Sequence, residues 1–499
     1  MYRDEWSIWL TARFSHTFDE MWHYQAHMGR PLGWMLCNWL VGKLFYPVGL
    51  KILYVLVSTS TIYLVAQFAP FTRLQKVLFA FGYFPLYEYG TILRDYCADF
   101  FAVFLVCAVF TSDRRRPILF GLALAMVFQT VGYAILIGLM LGVAYLFDVW
   151  WNRATEKNRP PLRPFVIGIA IAMVSLATAY MVMKTTVDPN LLLDEAAPKG
   201  TFFDRLWQTA PYLWRGCLPI PFPGQSNGMG GWNTNLLDPW PGIQILLGLT
   251  FLISVAVFLS NRPTGLLCYL LGTAAVGYYL CAVPFFNVRH HGHYFTVFIA
   301  AMWVAGRERR LLKSQFLEWP PLVVFRDWRS AFLTAVLAIH VIVGLQAAIV
   351  EQAIPFSGSR QAAEIIKRNA PADIPVIGDC DYAMTGIAGF LDRPIYIAWR
   401  GIYGTEICNL ASVDRDQKHG KHPMDPEALA ESLQKFLNAE KRDVVLVLNY
   451  QPRQLPIPQK NVTLLGVTIS EENIKLLGAA GTSIYPDERY LVFLVKYGR

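Results

Sequence analysis

The sequence predicts an α-helical polytopic membrane protein of about ten or eleven spans with a C-terminal α/β domain. Two observations predict this fold class. Of the 499 residues, 54% are hydrophobic and only 16% are charged, whereas soluble domains average about 25% charged residues. The apolar residues form long runs up to residue 350, and the composition after residue 355 is that of an ordinary soluble domain.

Residues 1–48 are predicted to form an outer-face segment with helices in the membrane interface. Residues 6–47 are too polar to span a bilayer, because charged and histidine side chains interrupt them repeatedly. They are rich in tryptophan, and indoles prefer the interface between lipid and water. The tryptophans are Trp6, Trp9, Trp22, Trp34 and Trp39.

Residues 49–350 are predicted to form the transmembrane domain. A helix needs roughly 20 apolar residues to cross the hydrocarbon core, and several runs approach that length. The predicted spans are 49–69, 75–90, 91–111, 117–131, 132–150, 164–184, 242–260, 264–284, 292–306 and 328–350.

Clusters of Arg and Lys between the spans predict the orientation. Cytoplasmic loops carry an excess of these residues, and placing every cluster in the cytoplasm uses each span once without conflict. Both termini are then outside, so either the first span translocates the short N-terminal tail or the natural protein has a helix upstream of Met1. The second interpretation is favoured. The predicted outer segments are 1–48, the large loop 185–241, 287–293 and everything after 351.

Net charge and cysteine spacing exclude several classes of function. The formal charge is +8, but the basic residues lie in short clusters between apolar runs, which does not favour nucleic-acid binding. The eight cysteines contain no CxxC pair, so neither a zinc ribbon nor a thioredoxin-like motif is supported. A disulfide between Cys380 and Cys408 stays open.

Residues 351–499 are predicted to form an α/β domain on the outer face, because strand and helix patterns alternate there. Asp425 followed by Pro426 is typical of a helix start. The domain contains no GxGxxG or P-loop, so a nucleotide site has no support and a rigid cap or docking role is simpler. Strands are predicted at 375–379, 394–398, 443–449 and 489–496. One helix is predicted to follow Ser357 and Ser359 and to run to about 369, and another to run from Asp425-Pro426 to about 440.

Two adjacent carboxylates, Asp4 and Glu5, are the first catalytic candidates. A carboxylate pair at a solvent edge is commonly just solvated. Here the pair lies on the predicted outer face, beside the tryptophan-rich stretch, which favours acid/base work.

Arg94, Asp95 and Tyr96, with Asp99 one turn later, form a second group at the outer end of the span 91–111. Charged side chains at a bilayer edge often only snorkel. An adjacent Arg and Asp at a helix start can also hold a phosphate and orient a neighbour. Asp95 is therefore a catalytic candidate, and Arg94 and Tyr96 are candidates for substrate binding.

Arg289, His290 and His293 form a third group, whose spacing places them on one helix face. Several histidines together suggest a metal, but no carboxylate or Cys is close in sequence to complete a site. A phosphate clamp fits better, with Arg215 and Lys199 as weaker candidates of the same kind. His16, Glu20 and His23 also have metal-ligand spacing, although an interfacial helix face explains them more simply. No resident metal is assigned, and a divalent metal stays possible.

These groups together suit one reaction. A sugar on a polyprenyl phosphate would place its phosphate at the membrane surface, and an acidic side chain would deprotonate the acceptor hydroxyl during its attack on the anomeric carbon. Arg and His would stabilise the departing phosphate.

The sequence resembles the GT-C superfamily of membrane glycosyltransferases, which includes protein O-mannosyltransferases and lipid A aminoarabinose transferases. The likeness covers residues 1–310 and comes closest to a bacterial subgroup. The matching motifs are Asp4-Glu5, Gly29-Arg30-Pro31-Leu32, Glu88-Tyr89-Gly90, Arg94-Asp95-Tyr96 and Arg289-His290 with Gly292.

The resemblance implies a polyprenyl-phosphate-sugar donor, a glycan, lipid or protein acceptor, and inversion at the anomeric carbon. It also implies a bacterial inner-membrane protein with its active site and C-terminal domain in the periplasm. Asp4 matches the catalytic acidic residue of the first outer loop, and Glu5 is its neighbour. Arg30 stands where related sequences often have His before the Pro, and we expect it to bind substrate. The family has a transmembrane helix before the acidic pair, so the resemblance also favours a helix upstream of Met1 in the natural protein.

Two other functions stay open. A transporter or flippase of lipid-linked sugars would use the Arg and His groups for binding only, but transporters often show internal repeats and charges at mid-membrane. Neither is evident here. A non-catalytic envelope scaffold would tolerate replacement of Asp4.

Overall fold

The structure is a computed structural model of the 499-residue chain. It describes residues 3–25, 30–45, 48–112, 114–152, 162–186, 200–222, 231–283, 287–308, 310–315, 317–379, 381–398, 401–405, 426–449, 471–485 and 488–498. Cys380 and Cys408, between which the sequence leaves a disulfide open, lie outside these residues.

Helices make up most of the described chain. In order they are α1 Arg3–Phe14, α2 Phe18–Gln25, α3 Leu32–Leu44, α4 Gly49–Phe68, α5 Arg73–Ala80, α6 Tyr96–Phe110, α7 Pro117–Phe128, α8 Gly132–Asn152, α9 Leu162–Thr186, α10 Phe202–Thr209, α11 Pro211–Cys217, α12 Pro241–Phe258, α13 Pro263–Ala282, α14 Val288–His291, α15 His293–Arg307, α16 Pro320–Asp327, α17 Arg329–Ala353, α18 Ser359–Asn369, α19 Asp381–Leu391 and α20 Pro426–Glu440.

Six helical segments of the described chain are long and apolar enough to cross a membrane, and α6 and α7 are shorter apolar helices. The chain is therefore a multi-pass membrane protein, and the predicted fold class is confirmed. The six segments are Gly49–Phe68, Gly132–Asn152, Leu162–Lys184, Pro241–Phe258, Pro263–Ala282 and Pro320–Ala353.

The predicted span 75–90 is wrong as a continuous helix. Helix α5 ends at Ala80, and the chain continues after Gly82 as a π-helical turn, Tyr83–Glu88. Gly82 has a non-helical backbone, and Pro85 lacks an N–H to donate. The break places Glu88 outside any long span, at the start of the loop that leads to α6.

Helix α15 lies at the centre of the transmembrane domain. Every residue from His293 to Ala305 is buried, as expected of a helix that is apolar on all sides. It packs mainly against α13 and also against α6, so its first turn is held at one end of the helix core.

The C-terminal domain is a six-stranded sheet with helices on both faces. In sheet order β3-β2-β1-β4-β6-β5, β1 pairs in parallel with β2 and β4, and the other pairs are antiparallel. One face packs on α18 and α19, the other on α20. The strands are β1 Val376–Gly378, β2 Ile395–Ile397, β3 Ile402–Gly404, β4 Val444–Asn449, β5 Ile474–Ala480 and β6 Tyr490–Val495.

Each strand and helix predicted for this domain is present, with ends within a few residues. The prediction omitted α19, β3 and β5. Strand β3 is only three residues long and mostly exposed, and β5 contains an irregularity between Leu476 and Gly478. Neither strand therefore shows a clear alternating pattern.

Helix α1 docks on the C-terminal domain through Trp6. The indole lies over Gly389, where an added Cβ would come within 2.2 Å of ring atoms, and it meets the Phe390 ring edge-on at 4.8 Å between centroids. Trp6, Trp9 and Trp34 are buried inside the protein, at 8%, 4% and 8% exposure. This corrects the expectation that these indoles lie among lipid headgroups. The notch above Gly389 gives Trp6 a more complete burial than the interface would.

Candidate active site

Most predicted site residues meet at residues 93–99, which we call the hub segment. It runs from the loop after the π-helical turn into the first turn of α6. Five of its residues contact five different parts of the chain.

The first contact fixes α1. The backbone N–H of Leu93 donates to Glu5 Oε1 at 3.0 Å, and Glu5 is only 8% exposed. The Glu5 carboxylate therefore holds the first turn of α1 beside the hub segment. Asp4 precedes it in the same turn, and its side chain lies outside the described residues.

The second contact is a buried ion pair. Arg94 Nη1 donates to Glu88 Oε1 at 2.6 Å. The other carboxylate oxygen, Oε2, accepts from the hydroxyl of Tyr83 at 3.0 Å and from the indole N–H of Trp232 at 3.1 Å. Burial and the Glu88 charge hold the pKa of Tyr83 well above its ordinary value, so Tyr83 keeps the proton that it donates. Arg94 thus has a fully bonded carboxylate as its counter-ion.

The third contact joins two predicted residues from distant parts of the chain. Arg30 Nη1 forms an ion pair with Asp95 Oδ2, and the Arg30 side chain is 40% exposed while that of Asp95 is 9% exposed. Tyr54 approaches the other oxygen, Asp95 Oδ1, at 3.4 Å. Asp95 is therefore a paired carboxylate rather than an isolated base.

The fourth contact is between Tyr96 and His290, whose Nδ1 lies 3.1 Å from the Tyr96 hydroxyl. Arg289 Nε lies 3.2 Å from His290 Nε2. Because a guanidinium only donates, Nε2 must accept, and the imidazole is neutral with its proton on Nδ1. Burial and the neighbouring Arg289 charge agree with this assignment, since both hold the pKa of His290 well below its ordinary value.

The fifth contact joins α6 to α15. His293 Nε2 lies 2.7 Å from Asp99 Oδ2, and its Nδ1 lies 2.8 Å from the carbonyl oxygen of His290. Since Nδ1 faces a carbonyl, it carries a proton, and a second proton lies between Nε2 and the carboxyl group. The ring stacks on Tyr133 at 4.3 Å between centroids. The histidine is therefore fixed and buried.

Arg289 and Arg215 differ in how the structure uses them. Arg289 is partly exposed, and its carbonyl oxygen accepts from the Tyr89 hydroxyl at 2.6 Å. Arg215 Nε donates to Asp238 at 2.9 Å, and Asp238 also accepts from Gln244 at 2.9 Å. Among the described residues, Arg215 thus belongs to a separate polar network and does not contact the hub segment.

The histidine groups that the sequence analysis weighed as metal ligands do not form a cluster in the part of the chain that the structure describes. No group of three or more His, Cys, Asp and Glu side chains there is arranged to hold a metal. Glu20 accepts from the backbone N–H of His16 at the start of α2. The side chain of His23 and the whole of Lys199 lie outside the described residues.

The sequence alone indicates no role for Glu88, Trp232 or Tyr83. Glu88 gave a usable signal, since it is a lone carboxylate in a stretch of aromatic residues. Trp232 gave none, because it meets Glu88 across a separation of 144 residues.

The site can fix an anion and accept a proton. It combines the acidic first turn of α1, two partly exposed cations (Arg30 and Arg289) and a neutral histidine. Glu5, Arg30 and His290 bond directly to the hub segment, and Arg289 is connected to it through His290.

Neither a protein-family model nor a curated protein sequence matches the chain. Among solved structures, it is similar to ArnT from Cupriavidus metallidurans in the apo state, with a TM-score of 0.52, 14% identity, and coverage of 98% of this chain and 93% of ArnT. ArnT has a GT-C fold, so the GT-C-like fold expected from the motifs is confirmed.

Two structures of the mycobacterial arabinofuranosyltransferase AftD, one of them a mutant, also match at 14% identity. They cover 96% and 98% of this chain but only 36% and 37% of AftD. Their TM-scores of 0.35 and 0.33 are too low to support a shared fold.

Proposed function

We propose that this protein is a membrane glycosyltransferase of the GT-C type, which transfers a sugar from a polyprenyl-phosphate-linked donor to an acceptor hydroxyl with inversion. The reaction takes place at the periplasmic face of a bacterial inner membrane. One observation carries the proposal: the hub segment connects the acidic turn of α1 with Arg30 and with the Arg289–His290 pair. ArnT, whose fold the chain shares, is a GT-C glycosyltransferase.

Asp4 is the proposed base. It removes the proton of the acceptor hydroxyl as the hydroxyl oxygen attacks the anomeric carbon. The bond from that carbon to the phosphate oxygen breaks, and the phosphate leaves with the electron pair. Attack from the face opposite the leaving group inverts the anomeric configuration.

Glu5 and Arg94 are proposed as positioning residues. The Glu5 carboxylate accepts a hydrogen bond from the backbone N–H of Leu93. This bond positions the turn of α1 that carries Asp4. Arg94 forms an ion pair with Glu88, and this pair fixes the conformation of the hub segment. Both are therefore required for activity without contact to the reacting atoms.

Arg289 is the proposed phosphate ligand, because it is the partly exposed cation beside the neutral His290. Its charge is suited to the negative charge that grows on the departing phosphate. His290 is proposed to orient Arg289 and Tyr96, because its Nε2 accepts from Arg289 and its Nδ1 faces the Tyr96 hydroxyl. Arg215, which is paired with Asp238, is left out of this group.

The acceptor is a glycan, a lipid or a protein, and the C-terminal domain is the proposed cap over the site. Its contact with α1 through Trp6 and Gly389 supports that role.

The test uses purified protein in lipid nanodiscs with a panel of polyprenyl-phosphoryl sugars and candidate acceptors. A transferase releases polyprenyl phosphate and forms a glycosylated product, both measured by mass spectrometry. Asp373→Asn, at an exposed carboxylate of the C-terminal domain, is the matched control for Asp4→Asn and should retain full activity. A protein that moves the intact lipid-linked sugar across proteoliposomes, and never releases polyprenyl phosphate, would instead be a transporter.

A further inference from the structure

A group of arginines lies at the end of the helix core that is remote from the hub segment. Arg262 directly precedes α13, and its Nη1 donates to the carbonyl oxygen of Ala305, near the end of α15. Helix α15 starts beside the hub segment with His293 and contains 15 residues, so its two ends are roughly 20 Å apart. Arg262 and its neighbours are therefore outside the proposed active site.

Arg326 and Arg329 come from the junction of α16 and α17. Trp328 alone separates the two helices, and its backbone lies in the helical region, with φ −73° and ψ −7°. The chain therefore continues as one helix through the junction. Because residues three apart on a helix are neighbours, Arg326 and Arg329 share a face, and we call them the junction pair.

Aromatic packing places Arg329 next to Arg262. Phe325 stacks on Phe258 with 4.9 Å between ring centroids, and Phe332 meets the same ring at 5.0 Å. Arg329 is four residues after Phe325 and three before Phe332, so it lies on the stripe that faces the end of α12. The turn after α12 carries Arg262, which is close enough to Arg329 to repel it electrostatically.

The junction pair has no acidic partner in the part of the chain that the structure describes. Both side chains are partly buried. Arg326 Nη1 is a buried atom without a hydrogen bond there, and no carboxylate offsets the repulsion between Arg262 and Arg329. Glu308 partly balances the charge of Arg262, but its oxygens accept from two backbone N–H groups at the start of α13.

Other arginines at this end of the helix core are bonded. Arg115 forms an ion pair with Asp148 at 2.8 Å. Arg310 donates to the carbonyl oxygen of Trp151 at 2.8 Å, and its guanidinium lies over the indole, 4.4 Å from the centroid. The junction pair therefore differs from its neighbours. Because a partly buried cation is costly without an anion, the pair is suited to an anionic ligand.

The surroundings of the junction pair indicate which anion it takes. Val324, Phe325 and Trp328 are exposed on the same helix, and such an apolar surface on a membrane helix is expected to face lipid. Tryptophan prefers the interface between lipid and water, so the pair lies at the depth of the lipid headgroups. Guanidinium groups bind phosphate through paired hydrogen bonds. Ser260, whose buried hydroxyl has no hydrogen bond within the described residues, adds a donor from the turn before Arg262.

We propose that the junction pair, with Arg262 and Ser260 beside it, binds the phosphate group of an anionic phospholipid. Basic pockets between transmembrane helices commonly bind such headgroups. The site lies on the membrane face opposite the proposed active site. A zwitterionic lipid carries its own cation, which competes with the arginines for the phosphate, so a lipid with a net negative charge is preferred. This inference does not depend on sugar transfer.

The test measures lipid binding to the purified protein in detergent by native mass spectrometry. The probes are phosphatidylglycerol, which is anionic, phosphatidylcholine, which is zwitterionic, and inorganic phosphate. The wild type should bind phosphatidylglycerol about 30-fold more tightly than phosphatidylcholine, as expected when two arginines each contribute about fivefold. Inorganic phosphate should compete with phosphatidylglycerol only at a far higher concentration, because it lacks the acyl chains that contact the apolar surface.

Arg326→Gln and Arg329→Gln should each weaken phosphatidylglycerol binding about fivefold, and the double variant should lose the preference. Binding of phosphatidylcholine should stay unchanged in all three. We expect these variants to fold, because the replaced side chains form no ion pair within the described chain, and an unchanged melting temperature in phosphatidylcholine verifies this. Arg329→Lys keeps the charge but not the planar guanidinium, and it should lose less than Arg329→Gln.

Arg163→Gln is the matched control, since it removes the same charge from an exposed position at the start of α9. It should bind phosphatidylglycerol as the wild type does. An equal loss in this control would show a general effect of net charge and overturn the proposal.

Equal binding of the two lipids by the wild type, or a full preference in the double variant, would also overturn the proposal. Displacement of phosphatidylglycerol by inorganic phosphate at a similar concentration would assign the junction pair to free phosphate rather than to a lipid. Failure here is distinct from failure of the proposed transferase, because the transferase is tested by the release of polyprenyl phosphate.

Discussion

Arg94 donates to Glu88 at 2.6 Å, and the two side chains are 4% and 0% exposed. The guanidinium also lies over the ring of Trp232, with its central carbon 5.8 Å from the centroid. The pair therefore connects the hub segment to the π-helical turn and to the loop before α12. Its first consequence is for stability, since each member would be a buried unpaired charge without the other.

Arg94→Met should destabilise the protein strongly. Removal of one partner from a buried ion pair costs about 3–5 kcal/mol, and Glu88 would be left without its counter-ion. The measurement is thermal unfolding of the purified protein, followed by tryptophan fluorescence. Arg13→Met is the matched control, because Arg13 and Asp392 form a half-exposed pair that should contribute at most about 1 kcal/mol. Equal melting temperatures for the two variants would show that the buried pair contributes no more to the stability of the protein than the half-exposed pair does.

His290 should make the protein sensitive to acid. Its folded-state pKa is lowered by burial and by Arg289, so the unfolded chain, with a pKa of about 6.5, binds a proton that the folded chain does not. By linkage, the stability from this group is complete above pH 6.5 or so and decreases as the pH falls below that value. The loss is at most about 1.4 kcal/mol for each pH unit.

His290→Gln tests this dependence, because an amide replaces the ring without a titrating group. Melting temperature is measured from pH 8 to pH 5 for both proteins, and groups that titrate in both cancel in the comparison. The variant should lose less stability than the wild type below about pH 6.5. Parallel curves would mean that His290 is protonated in the folded state.

Gly389→Ala should disturb the site from the C-terminal domain. The added Cβ would lie 2.2 Å from ring atoms of Trp6, so α1 would have to move, and overpacking of this kind costs about 1–3 kcal/mol. Because Glu5 and Asp4 directly precede Trp6, we expect the transfer rate to fall further than the melting temperature implies. Gly242→Ala is the control, since nothing lies within 4 Å of a Cβ there. A stable Gly389→Ala protein with full activity would show that the domain contact does not position α1.

The sequence predicted elements better where they are long and regular. The four predicted spans 132–150, 164–184, 242–260 and 264–284 each correspond to one helix of similar length. A helix that crosses a bilayer must be long and apolar, so hydropathy predicts it well. The span 75–90 was wrong, since Gly82 and Pro85 break a stretch that is still apolar. The burial of Trp6 depends on a glycine almost 400 residues later, and no local pattern contains that information.

The site was predictable only where its residues are neighbours in sequence. Arg94, Asp95 and Tyr96, and likewise Arg289, His290 and His293, were found as local groups, and the structure joins the two groups through Tyr96 and His290. Their partners were not predictable, because the Arg30–Asp95 and Glu88–Trp232 contacts join distant parts of the chain. Arg215 resembled the other cations in sequence but is paired with Asp238.

Asp4 is the proposed base of the sugar transfer. The most direct measurement is the single-turnover rate of transfer from a bound polyprenyl-phosphoryl sugar by the wild type, Asp4→Asn and Glu5→Gln. We predict that Asp4→Asn lowers this rate by about 100-fold or more while donor binding and melting temperature stay unchanged, and that Glu5→Gln lowers the rate and the melting temperature together. A wild-type rate of transfer in Asp4→Asn would show that Asp4 is not the base.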